Sequence, residues 1–201
     1  MPASRHHIVR RCCLLGWLLC WLLAASVARG SIRDDDDQVG LPGGLRYVPL
    51  PTGAPESLPA AQHELQQATG GSPATTAAAH VRVASALLNL HQYDEALKHT
   101  QQALQLYQQA EQTAGTANAW LLLGRVRFAQ GDTGRARVGY VQALQQFGRL
   151  HDATAEAHTY EHLADLYASE RNWAAALGSY QRAYGIWQRL GNLRSAAVTL
   201  H

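Results

Sequence analysis

Beyond residue 20 this chain of 201 residues has no cysteine: Cys12, Cys13 and Cys20 all lie in one apolar stretch near the start. Downstream, that excludes disulfides, a thiolate nucleophile and a Cys-ligated zinc site, so stability there rests on packing alone. Lysine is almost missing too, Lys98 being the single one among 17 basic residues. Arginine keeps its charge and forks onto carboxylates. Charged residues make up 16% of the chain against 47% hydrophobic ones, a balance that supplies a core and excludes global disorder. An excess of one sign is also lacking. The formal charge is +2, and without Arg5, Arg10 and Arg11 the remainder sits at −1 (+2 less 3), which argues against nonspecific nucleic-acid binding. No Ser/His/Asp triad, phosphate loop or nucleotide fingerprint stands at a supporting position, so neither catalysis nor a cofactor is expected.

What is present begins with an export signal. Arg5, Arg10 and Arg11 form a basic region, followed by an apolar run from Cys12 to Val27. Ser26 and Ala28 are small residues two apart, as signal peptidase requires, so residues 1–28 are expected to be removed after Ala28. The alternative is an uncleaved anchor. Both place the remainder outside the cytoplasm, secreted or periplasmic, because the basic flank stays inside. Residues 29–56 read as a disordered linker, with the acid run Asp34-Asp35-Asp36-Asp37, Pro42-Gly43-Gly44, and Pro49, Pro51 and Pro55. Over 57–72 a short helix is expected, capped by Ser57, with Pro59 in its first turn and Gly70-Gly71 ending it.

Residues 73–201 repeat with a period of 40. Ala96, Ala136 and Ala176 fall at one position, Ala103, Ala143 and Ala183 at another, and Tyr107, Phe147 and Trp187 at a third. Ala84, Gly124 and Ala164 keep a small residue at a fourth. Inside each unit the apolar period is helical: Tyr160, Leu163, Ala164 and Tyr167 share one helix face, and Ala176, Tyr180, Ala183, Tyr184 and Trp187 share another. Polar turns at Gln130-Gly131-Asp132 and Ser169-Glu170-Arg171-Asn172 make the two helices antiparallel neighbours. Small residues at the crossing let the backbones approach, and the aromatics fill the groove against the next unit. Ser72-Pro73 opens the first helix.

At Trp120-Leu121-Leu122-Leu123-Gly124 the chain resembles the tetratricopeptide repeat (TPR) family, whose W-x2-L-G signature these residues match. Ala136, Tyr140 and Ala143 match that family's second helix, and unit one carries a more degenerate set with His80, Val83, Ala84, Leu87, Ala96, Thr100 and Ala103. Units are expected at about 77–116, 117–156 and 157–196, with a fourth starting at 197–201. The resemblance implies an all-α fold, a right-handed superhelical α-solenoid of antiparallel helix pairs. Two departures stand out. Arg127 replaces the usual aromatic, leaving Phe128 or a neighbour to fill that space. Gln108, Gly148 and Gln188 replace the helix-ending proline, so the second helix is expected to continue by about a turn. The pattern is similar to the long-repeat subclass of kinesin light chains and many bacterial multidomain proteins.

In TPR proteins the first helices line a concave groove, which implies a protein or peptide ligand. The corresponding positions are Ala78, Val81, Ser85 and Asn89 in unit one and Asn118, Leu121, Arg125 and Ala129 in unit two. Unit three supplies His158, Glu161, His162 and Asp165. The polar ones can bond an extended peptide, and Val81 and Leu121 can offer apolar contact. A Lys/Asn/Arg carboxylate clamp is not expected, since Val81, Ser85, Leu122, His158 and His162 fall at its positions. His158-x-x-Glu161-His162 matches the H-x-x-E-H pattern of zinc proteases. It sits inside a repeat helix in a chain with ten histidines, and reads as coincidence with no metal held. Arg125, Arg127, Arg135, Arg137 and Arg149 concentrate positive charge in unit two and read as a soluble surface paired with Asp132 or Asp152. The expectation is an exported, non-enzymatic scaffold for protein or peptide binding. The alternatives are the amino-terminal regulatory region of a larger enzyme, such as a CHAT-type protease, and a module that self-associates through its open carboxyl-terminal end.

Overall fold

The computed structural model describes residues 57–199. The signal and linker expected over 1–56, and the last two residues, lie outside the described residues. Eight helices follow in order: α1 (Leu58–Ala68), α2 (Pro73–Asn89), α3 (Tyr93–Gln109), α4 (Thr113–Ala129), α5 (Thr133–Leu150), α6 (Ala153–Ser169), α7 (Trp173–Arg189) and α8 (Leu193–Thr199). Among the described residues there is no strand, and no helix is long and apolar enough to cross a membrane. Helices α2/α3, α4/α5 and α6/α7 form the three pairs, here units one to three, and α8 opens the next. The first helices pack on one another, α2 on α4 and α4 on α6, and the second helices make no comparable contact. The first helices therefore form the inner wall of the solenoid.

The helix ends explain the period. His91, Glu111, Gly131, His151, Arg171 and Gly191 all have positive φ and stand 20 residues apart. At each, two backbone bonds close the preceding helix, as in Gln92 N–H to Leu87 O at 2.9 Å and His91 N–H to Leu88 O at 3.0 Å. This left-handed closure satisfies carbonyls that a helix terminus otherwise leaves bare. Ser72, Asp132, Asp152 and Asn172 each accept the N–H three residues on, capping the helix that follows. Ser57 departs from expectation: its side chain makes no capping bond. The extra length also sits elsewhere than expected. The second helices end only one or two residues past Gln108, Gly148 and Gln188, at Gln109, Leu150 and Arg189. The first helices instead begin at 73, 113 and 153, four residues before the expected unit starts. The shared turn geometry stops the second helix without proline, so the added residues extend the start of the next one.

The core is built from alanine and a few large residues. Ala84, Ala96, Ala103, Ala117, Ala136, Ala143, Ala164 and Ala183 are all fully buried, with Phe147, Tyr140 and Trp187 filling space beside them. In unit two the paired helices approach closely. A Cβ on Gly139 would lie 2.8 Å from the backbone of Gly124 and 3.0 Å from Trp120 O. Tyr107, closing unit one, lies flat over Gly115 of α4, where a Cβ would come within 2.3 Å of its ring. Phe128 packs against the core, filling the space that Arg127 does not.

Candidate functional site

The inner wall takes its residues from α2, α4 and α6, and the candidates on it divide into two groups. In the first two units, polar atoms are left without partners. Ser85 is 6% exposed and its Oγ has no hydrogen bond; the Oδ1 of partly buried Asn118 is likewise buried and unpartnered. A buried acceptor without a donor is costly, on the order of 1–3 kcal/mol. Asn89, the last residue of α2, and Ala129 of α4 are exposed, and Ala78 is partly so. Leu121 corrects the expectation: at 1% exposure it belongs to the core and cannot meet a ligand. Val81 is buried in the same way. Both belong to the buried core, so the apolar contact assigned to them is spent inside the fold.

In unit three the candidates are engaged with the protein itself. The Glu161 carboxylate accepts from Trp187 Nε1 on α7 at 2.9 Å and from Thr199 Oγ1 on α8 at 2.7 Å, and lies 3.1 Å from His158 Nδ1. Burial pushes this carboxyl up, but the bonds from His158, Thr199 and Trp187 outweigh it and hold its pKa below the usual glutamate value. The His158 ring stands edge-on to Trp187, centroids 4.9 Å apart. Asp165 accepts from Tyr180 Oη at 2.5 Å, and burial together with this bond raises the phenol to about 12. His162 points elsewhere: its ring stacks on Tyr140 of α5 at 5.8 Å and 14°. Burial, then the charge of Arg125, then that of His158, lower its pKa to about 4, so it is neutral at pH 7. Arg125 therefore sits close to Tyr140 and His162, where the inner wall passes from unit two to unit three.

His158 and His162 thus have different surroundings, and among the described residues no three His, Cys, Asp or Glu side chains converge on a metal-sized site. Arg127, Arg135 and Arg137 of unit two each bind a neighbouring side chain. Arg135 binds Asp132 at 3.2 Å, as anticipated, and Arg127 reaches Gln130 at 3.3 Å. Arg137 donates from Nη2 to both oxygens of Glu170 at 2.7 Å and lies over the Tyr167 ring, tying α5 to the end of α6, while its buried Nε has no partner. Sequence reasoning missed that clamp, the Glu161 hub and the His80–His99 contact between α2 and α3. Arg137 and Glu170 stand 33 residues apart across two units and Glu161 and Trp187 stand 26 apart within one, so neither pair falls on the 40-residue period that the sequence shows.

A stack of helix pairs with the first helices side by side along one wall defines a helical-repeat interaction scaffold. The Tetratricopeptide repeat family model matches residues 75–148 and again 116–189, more than half of the chain, and the chain belongs to that family. No curated protein matches it. Among solved structures it is similar to aspartyl phosphate phosphatase F from Bacillus subtilis (14% identity, TM-score 0.65, covering 71% of this chain and 38% of that one). It is also similar to the apo form of RapI (17% identity, TM-score 0.65, 71% of this chain and 52% of that one). A third likeness is to BtubC from P. vanneervenii (18% identity, TM-score 0.56, 70% and 68%). At these identities the likeness shows the fold. The chain spans 38% and 52% of the length of the first two.

Proposed function

We propose that this is an exported TPR scaffold that binds an extended segment of another protein along the inner wall of α2, α4 and α6. What supports this reading is the stacking of the first helices into one wall that carries exposed Asn89 and partly exposed Asn118. Their side-chain amides can hydrogen-bond the backbone of an extended peptide. Export rests on the basic and apolar segments before Ala28, and a mature chain starting at Arg29 is its direct test. For binding, random linear peptides displayed on phage are selected against the full chain. Asn118→Ala is expected to weaken the selected peptides by about tenfold, the equivalent of one hydrogen bond. Unchanged affinity in that variant, or crosslinks confined to α3, α5 and α7, would overturn the reading.

A second reading has its own observation. Trp173 and Leu177 on α7 are 65% and 59% exposed, whereas the residues one and two repeats before Leu177, Arg137 and Leu97, are partly covered. This face suits a second copy of the chain. Light scattering over a range of concentrations tests it, with a monomer throughout as the refuting result.

A further inference from the structure

At one crossing point the three units differ in chemistry. In unit two the first helix contributes Trp120 and the second contributes Gly139, close enough that a Cβ there would meet the Trp120 carbonyl. Forty residues on, the same positions hold Tyr160 and Ser179. Forty residues back they hold His80 and His99. A large residue over a small one has become two imidazoles of equal size. Their Nδ1 atoms are 2.8 Å apart, and the ring centroids are 5.1 Å apart at 39°. We infer that the His80–His99 pair is an acid-operated clasp, which holds unit one closed at neutral pH and releases it in mild acid.

The proton count drives the device. Two Nδ1 atoms at hydrogen-bond distance hold one proton between them: one ring carries its proton on Nδ1 and donates, the other carries its own on Nε2 and accepts. A further proton can enter at the free Nε2 of the donor ring, and the bond survives. The next must enter at the accepting Nδ1. Two N–H groups then meet head to head, both rings are charged, and the contact becomes repulsive. Burial lowers the pKa of each ring; the neighbouring His99 lowers His80 further, whereas Glu95 pulls His99 back upward. The remaining charged groups on the helices packed here are Lys98, bonded to Glu95, and Arg82, bonded to Glu64 of α1. Asp94 on α3, which accepts from Gln130, His63 on α1, and Arg125 and Arg127 on α4 complete the set. The sign follows: the folded values lie below the unfolded 6.5, so the stability of the neutral pair is complete above pH 6.5 and is lost as pH falls below it. Units two and three carry no imidazole at this position. Release of this crossing is therefore confined to unit one, freeing α1, which packs on α2, and uncovering the surface of α4 beneath Tyr107; the acid-sensitive contact of His162 with Tyr140 is a separate one, between α6 and α5.

Hydrogen–deuterium exchange of the full chain carrying His162→Gln, which removes the other acid-sensitive contact at Tyr140, at pH 7 and pH 5 and corrected for intrinsic rates, tests the clasp. The amides of 73–109 are expected to lose at least about tenfold more protection than those of 113–150. His80→Tyr with His99→Ser, the pair found in unit three, is expected to abolish that difference. His99→Gln, which cannot titrate, is the second variant should the double one fail to fold. Imidazole 15N shifts are expected to show both rings neutral at pH 7 and both charged only when protection is lost. Equal loss across the units, acid loss persisting in the variants, or both rings charging with protection intact would each overturn the proposal.

Discussion

Replacing Gly139 by alanine tests the account of how the helices meet. The new Cβ would stand 2.8 Å from Cα and N of Gly124 and 3.0 Å from Trp120 O, all backbone atoms of α4. No rotamer change relieves such a clash, so α4 and α5 must separate by a few tenths of an ångström. Tyr140, which covers Gly124 and is 1% exposed, must then repack. Overpacking of this kind costs about 1–3 kcal/mol, and a backbone clash belongs at the upper end. Alanine returns about 1 kcal/mol through its better helix propensity. The net expectation is a loss of about 2 kcal/mol. Gly178 of α7 is the control, since a Cβ there meets nothing within 4 Å. Gly178→Ala should gain about 0.5–1 kcal/mol. For a chain of this size the two variants should differ in thermal midpoint by roughly 5–12 °C. Circular dichroism melts of both, beside the parent, supply the comparison. A Gly139→Ala protein that melts with or above Gly178→Ala would refute the close approach as the determinant of this pair.

The positive-φ turns make a separate prediction: Glu111→Gly and Arg171→Gly, at φ 51° and 59°, should each stabilise by about 1 kcal/mol, read as a higher urea midpoint. His162, neutral when folded with a pKa of about 4, should cost the protein up to about 3 kcal/mol as pH falls from 6.5 to 4. Urea midpoints across that range should be flatter in His162→Gln, and an unchanged slope would remove His162 as the source. Glu161→Ala leaves the indole N–H of Trp187 and the hydroxyl of Thr199 without their acceptor. Exchange should then quicken in 193–199 before it does in α4 and α5, and equal protection there would show that α8 is held by apolar contact alone.

How much was legible depends on which physical quantity repeats. The period, the pairing and the turns follow from residues that recur because the same small or large volume is needed every 40 positions: Ala96, Ala136 and Ala176 are all buried, and all contribute the same packing. The left-handed turns were only half visible. Glycine marks them at 131 and 191, but His91, Glu111, His151 and Arg171 occupy the same conformation, whose cost is small enough for the surrounding backbone bonds to override. The inner wall was legible as a face and not as a site. Counting three and four residues along α4 put Leu121 beside Asn118 and Arg125, yet neighbours on one helix divide between core and groove according to what the adjoining helix covers, and that depends on a crossing distance set by Gly124 and Gly139. In unit three the same count found His158, Glu161 and Asp165 correctly on the first helix but gave no sign of their occupants, Trp187, Thr199 and Tyr180, which come from elsewhere in the chain.

Those occupants make the array asymmetric. The end with the engaged wall is bound by charge-assisted bonds between consecutive helices; the first two units keep buried acceptors unfilled, and unit one alone holds its crossing with a titratable pair. A ligand lying along Asn89 and Asn118 contacts α2 and α4 together, so it must favour the closed form of unit one. Binding and the clasp are then linked: the ligand should shift acid release of unit one to lower pH, and acid should weaken the ligand by the same free energy. Peptide affinity measured at pH 7 and pH 5 in the parent and in His99→Gln checks this reciprocity. A fall in affinity with acid that persists unchanged in the variant would separate the two properties and break the link.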